Sequence, residues 1–254
     1  MNLYTLATLA AFRAYLGLAT NEGEDDALIH ALRAATHHLE RATNRRYAPY
    51  YATRACTLLL YDLSECVLGE DLLELHTLID GDGSSIPIDD VLILYGGMLH
   101  LIGRAFTFED TPEGAITVSG IWGFHDFWGQ AWRTSGDALV TAVDGDDTTF
   151  TVTDPDGADN DGHRPRFSVG QLLRVGNEYV AVLATDSTAN TLTVSRGANG
   201  SSPVAHSAAI PLQIFAPAVD IAQSCLRWAA YFYRESWDKQ PDAPNVPLLE
   251  RIRV

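Results

Sequence analysis

Helical apolar periodicity in this 254-residue chain is confined to its two ends, which limits the folds open to it. Leu28, Leu32, Ala35, Leu39 and Ala42 recur at intervals of three and four, the stripe of an amphipathic helix over residues 26–45. The other face of that helix carries His30, Arg33, His37 and Glu40. Ile221, Cys225, Trp228, Ala229 and Phe232 form a second stripe over residues 218–235, opened by Pro217. A shorter helix is expected over residues 6–16, with Thr5 as N-cap and Gly17 just past its end. Asp25, Asp26 and Asp220 lie in first turns and Arg41, Arg45 and Arg234 near last ones, as helix dipoles favour.

Between these ends the signal is β. Residues 53–60, 72–79, 84–88, 91–95, 104–108 and 116–124 are β-prone or alternating. Asp80-Gly81-Asp82-Gly83 reads as a turn, and Gly120 and Gly123 mark a bulge or close approach. Residues 134–216 read as a separate unit with strands at 138–143, 148–153, 172–175, 178–184 and 191–195. Even spacing of this kind suits a small barrel or sandwich. Pro241, Pro244 and Pro247 make the last stretch an extended arm. The expected class is α+β: a small helical bundle of two N-terminal helices plus a C-terminal helix, a β-rich middle, and an inserted β-barrel or sandwich module. By residue, the core is 1–133 plus 217–240 with its β-rich part at 51–125, the insert is 134–216, and the arm is 241–254.

Charge follows the same division. Residues 56–126 hold thirteen acids against Arg104 alone, and residues 134–216 hold ten against four basic residues. Together they carry nearly all of the net −16, while both ends are close to neutral. A chain this acidic is a poor candidate for wrapping DNA or an anionic membrane. No apolar run approaches the ~18 residues of a membrane span, and the N-terminus lacks the basic leader of a signal peptide. Cys56, Cys66 and Cys225 show no framework or ligand spacing and read as reduced intracellular thiols.

Chemical motifs are scarce. There is no nucleophile elbow, P-loop, dinucleotide fingerprint or paired-His metalloprotease motif, and no cofactor is implied. Adjacent His37 and His38 point about 100° apart on a helix, which suits a shared metal poorly. Asp154, Asp156, Asp159 and Asp161 are the candidates for Ca²⁺, without the spacing or terminal Glu of a helix-loop-helix site. A solvated turn explains them as well. Glu178, His163 and Asp159 could be assembled into an enzymatic site, but no motif supports one. Trp122, Phe124, Phe127, Trp128 and Trp132 are dense enough for core or interface packing, or for stacking on carbohydrate or nucleic-acid bases.

The order of segments resembles phage head-to-tail connector proteins, also called adaptor or head-completion proteins. LATLAAFRAYLGL (6–18) followed by DDALIHALRAATHHLERATNRRY (25–47) is similar to their N-terminal helical pair. LLELHTLIDGDGSSIP (72–87) is similar to their strand, turn and strand, and ITVSGIWGF (116–124) to their late strand. PAVDIAQSCLRWAAYFYRES (217–236) looks like the C-terminal helix that packs back on the first pair. Residues 173–209, ending in Arg196-Gly197-Ala198-Asn199-Gly200 and then His206, resemble a β module spliced into phage structural proteins. Residues 62–71 and 144–166 match nothing in that pattern.

The resemblance implies a virion structural protein at the head–tail interface, assembled in the host cytoplasm and without enzymatic activity. Its homo-oligomeric ring, twelve subunits in that family, would lie beneath the portal protein. It would extend the channel for double-stranded DNA and meet a stopper or tail-terminator protein, with no membrane involved. The acidic middle then suggests a lumen that repels phosphate, so that DNA passes without being held. Asp62, Glu65, Glu70, Asp71, Glu74, Asp89 and Asp90 are the candidate channel acids. Leu248, Leu249, Arg251, Ile252 and Val254 of the arm are candidates for attachment to the portal. A tail or baseplate subunit with a carbohydrate-binding β module is the rival expectation.

Overall fold

The computed structural model describes residues 3–18, 25–94 and 96–238. It is α+β, with three helices and a β-rich body that includes a sheet curled into a half-barrel. The helices are α1 (Leu9–Leu16), α2 (Asp25–Thr43) and α3 (Val219–Asp238). Between α2 and α3 come β1 (Tyr50–Leu59), β2 (Asp62–Val67), β3 (Leu72–Ile79), β4 (Ser85–Ile86), β5 (Val91–Leu94), β6 (Met98–Leu101) and β7 (Ile116–Trp122). They make one antiparallel sheet in the order β4-β3-β7-β1-β2-β6-β5. Then follow β8 (Trp132–Ala138), β9 (Thr149–Thr151), β10 (Leu172–Val175), β11 (Glu178–Asp186), β12 (Thr191–Ser195) and β13 (Pro211–Phe215). These form a second antiparallel sheet, ordered β8-β13-β10-β11-β12-β9.

The two sheets each bury an apolar cluster of their own. In the first it runs through Leu58, Cys66, Leu78, Leu99, Val118 and Trp122. In the second it runs through Phe150, Val152, Val175, Val182, Val194 and Ile214. A third cluster joins the helices to both sheets. Phe12, Leu28, Leu32, Cys225 and Ala229 pack there with Tyr47, Ala48, Leu172, Tyr179 and Phe215. The chain enters the second sheet on β8 and leaves it on β13. These strands are neighbours, with Trp132 opposite Phe215 and Arg133 opposite Ile214.

Local sequence explains much of this, and tertiary contacts correct the rest. Helix α1 starts three residues later than periodicity suggests. Thr8 caps it by accepting from the Ala11 N–H at 3.1 Å. Thr5 is held outside, its N–H donating to the Gly170 carbonyl at 2.7 Å, while the Leu6 N–H donates to Thr36 Oγ1 at 3.1 Å. Helix α2 ends at Thr43, where Asn44 turns left-handed with φ 52°. Its buried line stops at Leu39, and Ala42 is exposed. Glu40 does not belong to the outer face. It is buried and accepts from the Tyr4 hydroxyl at 2.7 Å. On α3 the fully buried line is Cys225, Leu226, Ala229 and Ala230, and Trp228 remains 37% exposed.

Residues 104–108 are not a strand. Phe106 is buried with its N–H on the Leu63 carbonyl, and Phe108 makes only a bridge to Gly81. The strand expected at 138–143 lies instead at Trp132–Ala138, because β13 supplies its edge there. Leu139 and Val143 still bury their side chains, which is the source of the alternation. Of residues 84–88 only Ser85–Ile86 pairs, and β2, β6 and β13 carry no strong sequence signal of their own. Cys56, Cys66 and Cys225 are buried free thiols.

Gly120 on β7 does what its place in an alternating strand suggests. A Cβ there would lie 2.1 Å from the Glu74 carbonyl oxygen, and β3 carries register shifts on both sides of that contact. Gly120→Ala should therefore destabilise the fold by about 2–3 kcal/mol through forced separation of β3 and β7. A lowered urea midpoint at unchanged slope would show it; an unaltered midpoint would contradict the packing described.

Candidate functional site: the acidic strands and the loop that joins the sheets

The seven candidate channel acids fall into three neighbourhoods. Glu70 and Asp71, just before β3, pair with arginines from the N-terminal part of the chain. Arg54 lies 2.8 Å from Glu70, and Arg45 lies 3.1 Å from Asp71. The Tyr50 hydroxyl also donates to Glu70, and burial with that hydrogen bond pushes the phenol up to about 12. Glu74 is exposed on β3, 3.2 Å from His76. Asp62 and Glu65 lie on β2. Asp62 accepts from the Ser64 N–H and hydroxyl, which hold it below the usual carboxylate range, and Glu65 lies 3.8 Å from His100. Asp90 lies 3.5 Å from Arg104 before β5, and Asp89 beside it is exposed. Arginine thus pairs with three of the seven; of the other four, Asp62 and Glu65 are half-buried and Glu74 and Asp89 are exposed. The arm residues Leu248, Leu249, Arg251, Ile252 and Val254 lie outside the described residues.

The loop acids of the second sheet do not converge on a cation position. Asp159 is turned inward onto Arg133 at 3.0 Å and accepts from the Asp161 and His163 N–H groups. Asp154 accepts from the Gly157 N–H. Among the described residues no three His, Cys, Asp or Glu side chains are grouped so as to hold a metal ion. Nor does the structure bring Glu178 to Asp159 and His163. Asp159 and His163 pair with each other at 3.3 Å, whereas Glu178 has other partners.

Those partners explain the segment that ends in Arg196-Gly197-Ala198-Asn199-Gly200. Glu178, at the start of β11, is buried and meets Arg196 twice, Nε at 2.7 Å and Nη2 at 2.8 Å. His206 Nε2 lies 2.8 Å from Glu178 Oε2, and the Gly197 N–H donates to Oε1 at 2.9 Å. Arg196 spends its remaining donors on the carbonyls of Asp144, Asp147 and Val204. Every charged group in this interior is hydrogen-bonded, which a buried ion pair requires. The loop so fixed reaches the first sheet. Asn199 donates to the Pro49 carbonyl at 2.9 Å. Gly200, with φ +77°, lies against β1 so closely that a Cβ would come 2.3 Å from the Tyr51 carbonyl oxygen.

Aromatic rings fill the joint beneath that loop. Tyr179 is fully buried, with ring centroids 4.9 Å from Tyr51 and 5.1 Å from Trp132. Trp122 is core, its Nε1 donating to the Ala52 carbonyl. Trp132 packs on Phe215 and Trp128, Phe124 lies against Tyr47, and Phe127 is exposed.

Among the described residues no helix is long and apolar enough to cross a membrane. No family model matches the chain, and no curated protein or solved structure is significantly similar to it.

Burial by itself raises the carboxyls of Asp137, Asp159 and Glu178, but hydrogen bonds and arginines more than offset it and hold all three below their ordinary values. A carboxylate lowered on folding contributes stability that is complete above its unfolded pKa and is lost as pH falls through the folded one. Unfolding free energy should therefore drop as pH falls from about 5, where such groups begin to protonate. Glu178→Gln should cost about 3–5 kcal/mol at pH 7, because Arg196 is left buried without its charge partner. It should also flatten the acid limb of the profile. An unchanged acid limb in this variant would remove Glu178 from the account.

Proposed function

We propose that this chain is a phage head-to-tail connector subunit, a virion structural protein that forms a ring beneath the portal and extends the DNA channel. The observation that carries the reading is the return of the C-terminal helix to the N-terminal pair across a β-rich middle, the arrangement that the resemblance implied. His38 of α2 lies 4.0 Å from Trp228 of α3, and Cys225 sits against Thr36. The helices make a small bundle, the 1–133 and 217–240 segments make the core, and the 134–216 module is a barrel-like insert between adjacent strands. The 241–254 arm attaches to the portal through Leu248, Leu249, Arg251, Ile252 and Val254.

The distribution of charge supports passage of DNA without retention. Arg45, Arg54 and Arg104 are engaged by acids of the same chain, so they are poorly placed to hold phosphate. Glu74 and Asp89, left exposed, repel it when they line the lumen. Twelve copies and a stopper or tail-terminator partner follow the same reading.

Negative-stain images of the chain mixed with its portal protein should show an added ring, and removal of residues 241–254 should abolish attachment while leaving unfolding unchanged. The assembled ring should not retain duplex DNA even at low salt. Micromolar retention would overturn the channel reading, and attachment without the arm would overturn its role.

A further inference from the structure

Two exposed patches, one at the far end of β1 and one on the helices, are chemically complementary. One is the turn between β1 and β2. Leu59 pairs with Asp62, so Leu60 and Tyr61 form a two-residue hairpin turn. Such turns favour Asn, Asp and Gly, which take the tight backbone conformations readily. Leu and Tyr contribute no turn chemistry, yet they are 67% and 84% exposed. The loop carrying exposed Glu109, Asp110 and Glu113 runs beside this tip. It is fixed there by the Leu58 N–H on the Pro112 carbonyl at 3.0 Å and the Gly114 N–H on Thr57 Oγ1 at 3.3 Å. The tip is thus an apolar knob with an acidic collar.

The other patch lies on the helices. A hollow of about 520 Å³ opens between α2 and α3, lined by Ala34, His37, His38, Arg41, Ala42 and Phe232. Trp228 and Tyr231 continue its aromatic surface, with Trp228 stacked on Phe232 at 5.8 Å and Tyr231 51% exposed. Arg227, Tyr231 and Arg234 are spaced four and three apart, and so share one face of α3. Arg41, Arg227 and Arg234 are exposed and form no ion pair among the described residues. Exposed Trp, Tyr and Arg together are the composition of a binding hot spot.

A chain cannot fill its own hollow with its own tip. β1 starts at Tyr50, beside the helical layer, and its ten residues carry the tip about 30 Å away. We infer that the Leu60 and Tyr61 turn of one copy seats in the α2–α3 hollow of the next, its acidic collar facing Arg41, Arg227 and Arg234. Because the two surfaces differ, the contact is head-to-tail, the type from which closed rings are built. The inference rests on the ring reading above and names the contact that makes the ring.

The test uses the full chain and its native mass at the highest soluble concentration. Leu60→Asp with Tyr61→Asp spoils only the tip, and Arg41→Glu with Ala42→Glu spoils only the hollow. All four positions are exposed, so unfolding midpoints should stay near wild type. Each variant alone should weaken self-association by about tenfold or more. Mixed together, the two should form one-to-one dimers that grow no further, since each supplies the surface the other lacks. Salt should weaken every one of these contacts. A wild-type chain that stays monomeric, variants that assemble as wild type does, or a mixture that gives no dimer would overturn the contact. Rings indifferent to both variants would discard this contact and keep the connector reading. Open filaments lost in both variants would keep the contact and discard the ring.

Discussion

The structure depends on one joint, the packing of Tyr179 between Tyr51 and Trp132. Tyr51 belongs to the first sheet, Trp132 and Tyr179 to the second, and the same apolar cluster takes in all three helices. Each sheet has a core of its own, so neither needs the other to bury its Val, Ile and Leu side chains. Their relative placement therefore rests on this small set of rings. Aromatic side chains suit that work, because two χ angles fix a large contact area. The hydrogen bond from Asn199 to Pro49 and the close approach of Gly200 to Tyr51 add direction, which apolar contact lacks.

The buried ions behind the joint give it rigidity rather than reactivity. Glu178, Arg196 and His206 are each almost fully desolvated, and the carboxylate is answered by side-chain donors and backbone N–H groups. Such a network stabilises little relative to a well-packed apolar core, but its geometry admits few alternatives. Here it holds a five-residue loop in the one shape that reaches the neighbouring sheet. Asp137 with Arg166 and Asp159 with Arg133 repeat the device elsewhere in the second sheet. All three carboxylates carry out the same task, anchoring irregular backbone where no ladder satisfies it.

Acidity and assembly connect through the same logic. An acid paired inside the chain adds little to the field around it, while an exposed acid sets that field at short range. Glu70, Asp71 and Asp90 are of the first kind, and Glu74, Asp89, Glu109, Asp110 and Glu113 are of the second. A strongly acidic composition is thereby compatible with two uses, repelling a passing polyanion and meeting a cationic surface on a neighbouring copy.

Periodicity and turn chemistry are local, and the sequence by itself determined what they govern. The stripe from Leu28 to Leu39, the strands at 72–79, 172–175 and 191–195, the turn at Asp80 to Gly83 and the constraint at Gly120 were all legible. What was not legible depends on partners far away in the chain. Thr5 gave up its capping role to Gly170, 165 residues on, and the edge of β13 moved the strand expected at 138–143 back to Trp132. Glu40 turned inward on α2 because Tyr4 offered the carboxylate a buried donor, and Trp228 stayed 37% exposed on α3. The charge of the middle segment is the clearest case. Sequence showed thirteen acids with one arginine among them, but the fold carries Arg45 and Arg54 across to Asp71 and Glu70. Local pattern fixes which residues are charged; only the closing of the chain decides which charges meet.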